Sequence, residues 1–214
     1  MESIVLGYSL LIAGLIALIR FRQIRPKYYP FIYLIWIGCL NEMLNHWLVA
    51  NGHYNIINTN IYSLVEAMLL LMLFRNMGAM HRMPVLYWVL MAAFTLSWVV
   101  NNFILHPFGS TFSSYFFIIY SFPIVLLGIN TINRVIVRER EILRSPEFLI
   151  SIGIVVYFTY GIIVELFWIY GLNASKGFRI NVYAIMYWIN LVTNLIYALA
   201  VLWMQKRQAF TLPY

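Results

Sequence analysis

FIYLIWIGCLNEMLNHWLVA, residues 31–50, is a membrane-length run with a polar cluster set into its second half. A bilayer core of about 30 Å is crossed by roughly 20 apolar residues in a helix, and this stretch has that length. Yet Asn41, Glu42, Asn45 and His46 fall within two turns of it. At about 100° per residue they occupy about 140° of the helix surface, while Leu40, Met43, Leu44 and Trp47 cover the other side. Polar groups in hydrocarbon turn toward other helices or a wet cavity, not toward lipid. Residues 31–50 therefore require partner helices with matching polarity.

The rest of the chain supplies them. Of 214 residues, 63% are hydrophobic and 10% charged, against about 25% charged in a soluble domain. Seven apolar runs are long enough to cross a bilayer: 3–20, 30–50, 58–75, 84–105, 112–130, 147–171 and 180–204. They predict an all-α polytopic protein, a single seven-helix transmembrane domain over 1–214. The breaks between runs, RPKYYP, NGHYN, RNMGAMHRMP, HPFGS, RSPE and GLNASKG, carry turn chemistry. Ser145-Pro146-Glu147 reads as a helix start with a capping hydroxyl, Pro at the first position and an acid in the first turn. Ser9, Ala13 and Ala17 form a small-residue stripe suited to close helix contact, as do Ser114, Ser121 and Gly128, with Pro123 between them as an expected kink. Glu2 precedes the first run and Arg20, Arg22, Arg25 and Lys27 follow it, the reverse of a signal peptide, so an uncleaved first helix is expected. The lone Cys39 excludes an intrachain disulfide.

Of the 14 Lys and Arg, twelve fall in segments that are internal if the N-terminus is outside; only Lys176 and Arg179 fall outside. This positive-inside bias predicts an N-out, C-in topology. It also explains the net charge of +7 without nucleic acid and predicts attraction of anionic lipid at the inner face.

All seven acids are glutamate, and Glu42, Glu66 and Glu165 lie well inside spans, as none of the 14 Lys and Arg does. Each sits six to eight residues from the outer end of its run, roughly 9–12 Å deep, so a single layer is expected. Thr59, Tyr62, Ser63 and Glu66 share one helix face, Tyr183, Tyr187, Asn190, Asn194 and Tyr197 another, and Ser97 and Asn101 a third. A charge within a span costs roughly 2.5–3.5 kcal/mol, so three carboxylates need water, protons, hydrogen bonds or a cation. The expected ligand or cation site is Glu42, His46, Glu66, Glu165, Asn41, Asn45, Tyr62, Tyr183, Tyr187 and Asn190, opening outward above an apolar floor. If a metal is held, Glu42, His46, Glu66 and Glu165 are its ligands, a set suited to Mn or Fe more than to structural zinc.

Known seven-helix designs are not met. The seventh run has no Lys for a retinal Schiff base. The receptor signatures Asp/Glu-Arg-Tyr and Asn-Pro-x-x-Tyr are absent, since Asn194-Leu195-Ile196-Tyr197 lacks the proline. There is no Pro-Gln pair, and Asn190-x-x-x-Asn194 stands where a zinc hydrolase would carry two histidines. The stretch NEMLNHWLVANGHYNIINTNIYSLVEAMLLLMLF, residues 41–74, resembles a family of small, uncharacterised seven-helix bacterial inner-membrane proteins, with Asn60, Tyr62 and Glu66 at the matching positions. The resemblance implies an inner-membrane location and a signalling role beside sensor kinases, but no chemistry.

These features point to a receptor, sensor or signalling accessory subunit for a cation, proton or cationic small ligand. The alternatives are a small-solute or cation/proton-coupled transporter and a metal-dependent intramembrane enzyme, with no cofactor beyond a metal ion. The internal segment TINRVIVRERE brings Arg134, Arg138, Arg140 and Arg144 together as a basic lipid-facing helix or as a docking surface for a cytoplasmic or membrane partner.

Overall fold

The computed structural model describes residues 9–204 apart from 106, 108, 140 and 172–174. Those residues are all-helical. α1 runs Leu10–Arg20, α2 Tyr29–Ala50, α3 Ile56–Asn76, α4 Pro84–Val99, α5 Ser114–Arg138, α6 Pro146–Ile169 and α7 Lys176–Trp203. α4 continues through a π-helical turn over Val100–Leu105. Five helices are long and apolar enough to cross a membrane: Ile56–Asn76, Pro84–Leu105, Ser114–Arg138, Pro146–Ile169 and Ile180–Trp203. α2 matches them in length, but the polar cluster at 41–46 takes it out of that set.

Several boundaries differ from expectation for local reasons. α5 runs on to Arg138, two turns past the apolar run, because Asn130, Asn133, Arg134 and Arg138 suit a helix that has left hydrocarbon. α7 starts at Lys176, where the Ser175 hydroxyl accepts a hydrogen bond from the Phe178 amide (3.2 Å). Ser145 does not cap α6 through its side chain, and its hydroxyl has no partner. Pro146 starts that helix, and Glu147 reaches Lys27 (2.7 Å) instead.

α1, α2, α3, α5, α6 and α7 close a ring in which α7 returns to α1, and α4 packs outside against α3 and α5. Ser9, Ala13 and Ala17 are buried as their stripe predicts. Phe31, Leu70, Leu71, Leu73, Phe74, Ile124, Ile150, Ile154, Ala200 and Val201 form one dry core. Burying apolar area gains nothing against lipid tails, so close packing and polar contacts hold the ring. Three such contacts gather helix ends on one side: Arg20 donates to the carbonyls of Val201, Leu202 and Met204, Lys27 pairs with Glu147, and Arg134 donates to the Met77 carbonyl (2.8 Å). Arg20, Lys27, Arg75 and Arg134 thus share one end of the bundle, and the polar half of α2 lies toward the other.

Candidate functional site

The polar face of α2 meets the first half of α3. Asn58 donates to both Asn41 (2.8 Å) and Asn45 (2.8 Å), so these two carboxamides fasten the helix pair. About two turns deeper, Glu66 accepts hydrogen bonds from Tyr62 on its own helix (3.1 Å) and from Tyr120 on α5 (2.6 Å).

Glu66 stands on the wall of a cavity of about 100 Å³ between α1, α2, α3, α6 and α7. Asn41, Glu42, Tyr62, Tyr157, Asn190, Thr193 and Asn194 share that wall, and among the described residues no Lys or Arg does. The volume holds a few waters or one small ligand, far below the 300–1,000 Å³ of a drug-sized pocket. Nearer the polar end lies a vestibule of about 310 Å³, lined by Glu42, Asn45, His46, Val49, Asn55, Tyr187 and Asn190. Glu42 and Asn190 line both chambers.

The floor is apolar. Leu34, Ile35, Phe158 and Tyr197 close the inner chamber, and the Tyr197 ring meets Phe31 edge-on at 5.1 Å. A Cβ on Gly153 would stand 2.5 Å from the Tyr197 ring, so only glycine lets α6 approach α7 closely enough to seat that ring. Below it Leu71, Leu73, Ala198 and Val201 are buried.

The three carboxylates are staggered rather than level. α3 begins earlier than the apolar run suggests and α6 ends earlier. Counted from the helix ends, Glu66 is ten residues deep, about 15 Å, Glu42 eight, and Glu165 only four. Glu165 lines neither chamber and has Ser114 as its polar neighbour; Tyr157 lies within electrostatic reach of all three. His46 is exposed and belongs to the vestibule. Among the described residues no three His, Cys, Asp or Glu gather closely enough to hold a metal ion. Of the other expected residues, Asn41, Tyr62 and Asn190 line the inner chamber, Asn45 and Tyr187 the vestibule, and the side chain of Tyr183 lies outside the described set.

Tyr120, Tyr157 and Asn58 were not singled out from the sequence. Tyr120 and Tyr157 sit among apolar residues and look like core aromatics until the helices that meet them are known. Asn58 had a usable signal, since Asn41 and Asn45 one turn apart require a donor opposite them.

A second polar cluster lies on the α4 side of α3. Asn60 donates to Asn102 (3.0 Å) and to the Thr111 carbonyl (3.0 Å), and its Oδ1 accepts from the Ser113 amide (3.1 Å). Ser113 Oγ donates to Asn102 (2.9 Å), and Asn102 donates to the Trp98 carbonyl (3.0 Å). The π-helical turn brings Asn102 into this knot.

Of the basic residues expected on one docking surface, Arg134 and Arg138 stand one turn apart on α5, where Arg134 holds the α3–α4 loop; Arg144 makes a surface pair with Glu141 (3.1 Å), and Arg140 lies outside the described residues.

The chain matches no family model, no curated protein and no solved structure.

Proposed function

We propose that this protein is a receptor-like membrane bundle, N-terminus outside and C-terminus inside, whose two-chambered cavity binds a small cation of the ammonium or primary-amine class. One observation carries the reading: Glu42 and Glu66 line a chamber with Tyr62, Tyr157 and Tyr197 and no fixed positive charge. Carboxylates supply the countercharge, aromatic faces favour a cation, and the asparagine carbonyls accept its N–H groups. The chamber volume restricts the ligand to a few heavy atoms. The twelve-to-two distribution of Lys and Arg supports the orientation, and the resemblance of residues 41–74 adds an inner-membrane location and a signalling partner. The closed floor at Tyr197 and Phe31 favours a receptor over a transporter, which needs a route to both sides.

Methylammonium is the test ligand. Added to the full chain in nanodiscs at about 100 times its Kd, it stabilises the fold by about 2.7 kcal/mol. Glu66→Gln abolishes this shift, whereas Glu139→Gln, at the far end of α5, leaves it intact. Absence of any shift in the wild-type chain refutes the amine reading. Accumulation of labelled methylammonium inside proteoliposomes replaces the receptor with a transporter.

A further inference from the structure

At the opposite end of the bundle the α3–α4 loop and the last two turns of α5 enclose a second, larger groove of about 930 Å³. α3 ends in a tight turn at Gly78 (φ +79°), where the Ala79 amide bonds back to the Phe74 carbonyl (2.9 Å) and the Gly78 amide to the Arg75 carbonyl (2.9 Å). This pattern needs a left-handed residue, which glycine supplies without strain. α5 then fixes the loop: Arg134 donates to the Met77 carbonyl, and Asn130 to the Ala79 carbonyl (3.4 Å). Met77 and Met80 are buried beneath it. The groove is thus built by the fold.

Its lining has two chemistries. One rim carries Arg82, Arg134, Arg138 and His81, and among the described residues no carboxylate belongs to the lining. The acid nearest in charge to Arg134 is Glu147, already paired with Lys27 at 2.7 Å. The floor and opposite rim are Met77, Met80, Met83, Leu86, Leu127 and Val137. Met83 (64% exposed) and Val137 (86% exposed) continue onto the apolar outer faces of α4 and α5, where Val85, Val89 and Ile136 are also exposed. An anion held at the arginines would therefore have an unbroken apolar path beside it into the membrane. Free phosphate has no use for the methionine floor, whereas a molecule with a phosphate and an acyl chain uses both halves.

We propose that this groove is a binding site for the headgroup of an anionic phospholipid, with the phosphate at Arg82 and Arg138 and the first acyl carbons along Met83 and Val137. Guanidinium groups pair with phosphate oxygens two at a time, and flexible methionines adapt to a mobile chain. The site is independent of the amine cavity.

The test is native mass spectrometry of the full chain released from nanodiscs of phosphatidylcholine with a minor fraction of phosphatidylglycerol. The wild type retains phosphatidylglycerol selectively. Arg82→Gln combined with Arg138→Gln lowers retention about tenfold or more. Arg22→Gln, an exposed arginine at the same end but outside the groove, leaves retention unchanged. Met83→Gln also weakens retention, while the melting temperature in neutral detergent stays near wild type for each variant. Equal loss in Arg22→Gln, or full retention in the double variant, overturns the site, because binding is then diffuse attraction to a basic surface. Displacement of the lipid by millimolar inorganic phosphate overturns the lipid assignment in favour of a soluble anion.

Discussion

The two faces of α3 carry polar clusters of similar size and opposite character. On the α4 side, Asn60, Asn102 and Ser113 are buried and bonded to one another and to nearby backbone, leaving no room for anything else. On the α2 side, Glu42 and Glu66 face open volume with acceptors to spare. Both clusters would register equally as intramembrane polarity. The difference teaches that a polar residue in a span marks a binding site only where its hydrogen-bonding capacity exceeds what the fold uses.

Asn60→Leu is the strongest challenge to that distinction. It removes three side-chain hydrogen bonds and leaves the Ser113 amide and the Thr111 carbonyl unpaired, at a cost of about 3 kcal/mol or more. Thermal unfolding in detergent should show a large drop, with any folded fraction still responding to methylammonium. A mild Asn60→Leu would place both clusters in the same class.

Tyr120→Phe comes next. It deletes the shorter hydrogen bond to Glu66 and should cost about 1–1.5 kcal/mol, while weakening the methylammonium shift. A loss of stability with no change in ligand response would move Glu66 to the structural side.

The Lys27–Glu147 pair at the basic end calibrates the scale. Burial alone would lower the Lys27 pKa, but the hydrogen bond it donates to Glu147, with Tyr28 and the Glu147 charge, outweighs it and holds Lys27 above its ordinary value. A raised pKa contributes stability that is present below the unfolded value and lost as pH rises through the folded one. Glu147→Gln should therefore cost about 1 kcal/mol near neutral pH, and should remove part of the alkaline loss of stability. Melting temperatures across an alkaline pH series measure it.

Glu42→Gln is the smallest in stability and the sharpest in meaning. Glu42 lines both chambers, so its loss should shift stability by less than about 0.5 kcal/mol yet abolish most of the methylammonium effect. A strongly destabilised Glu42→Gln would show that this carboxylate serves packing instead.

The helical class and the five strongest spans were legible from apolar run length alone. Glu42 and Glu66 were legible because a carboxylate in hydrocarbon needs a reason. Glu42 keeps its expected depth of eight residues, whereas Glu66 lies two residues deeper because α3 begins at Ile56 rather than at residue 58. Glu165 lies one turn from the end of α6 and lines neither chamber, because α6 ends at Ile169 rather than at residue 171. Tyr120 and Tyr157 could not be read, because a tyrosine hydroxyl acquires a role only through the helix that meets it. The split between satisfied and open clusters was also out of reach, as Asn60 and Glu66 lie on one helix and part company only through what packs on each side.

The closure of the ring between α1 and α7 has a consequence in time. Arg20 finds its carbonyl partners at Val201, Leu202 and Met204, some 180 residues later in the chain. The wall bearing Asn190, Thr193, Asn194 and Tyr197 is likewise the last to be synthesised. Until α7 is in place, Glu42 and Glu66 have no chamber, only a cleft open along one side. The cavity is complete only once α7 closes on α1, so a chain interrupted before α7 leaves its carboxylates without the wall that encloses them.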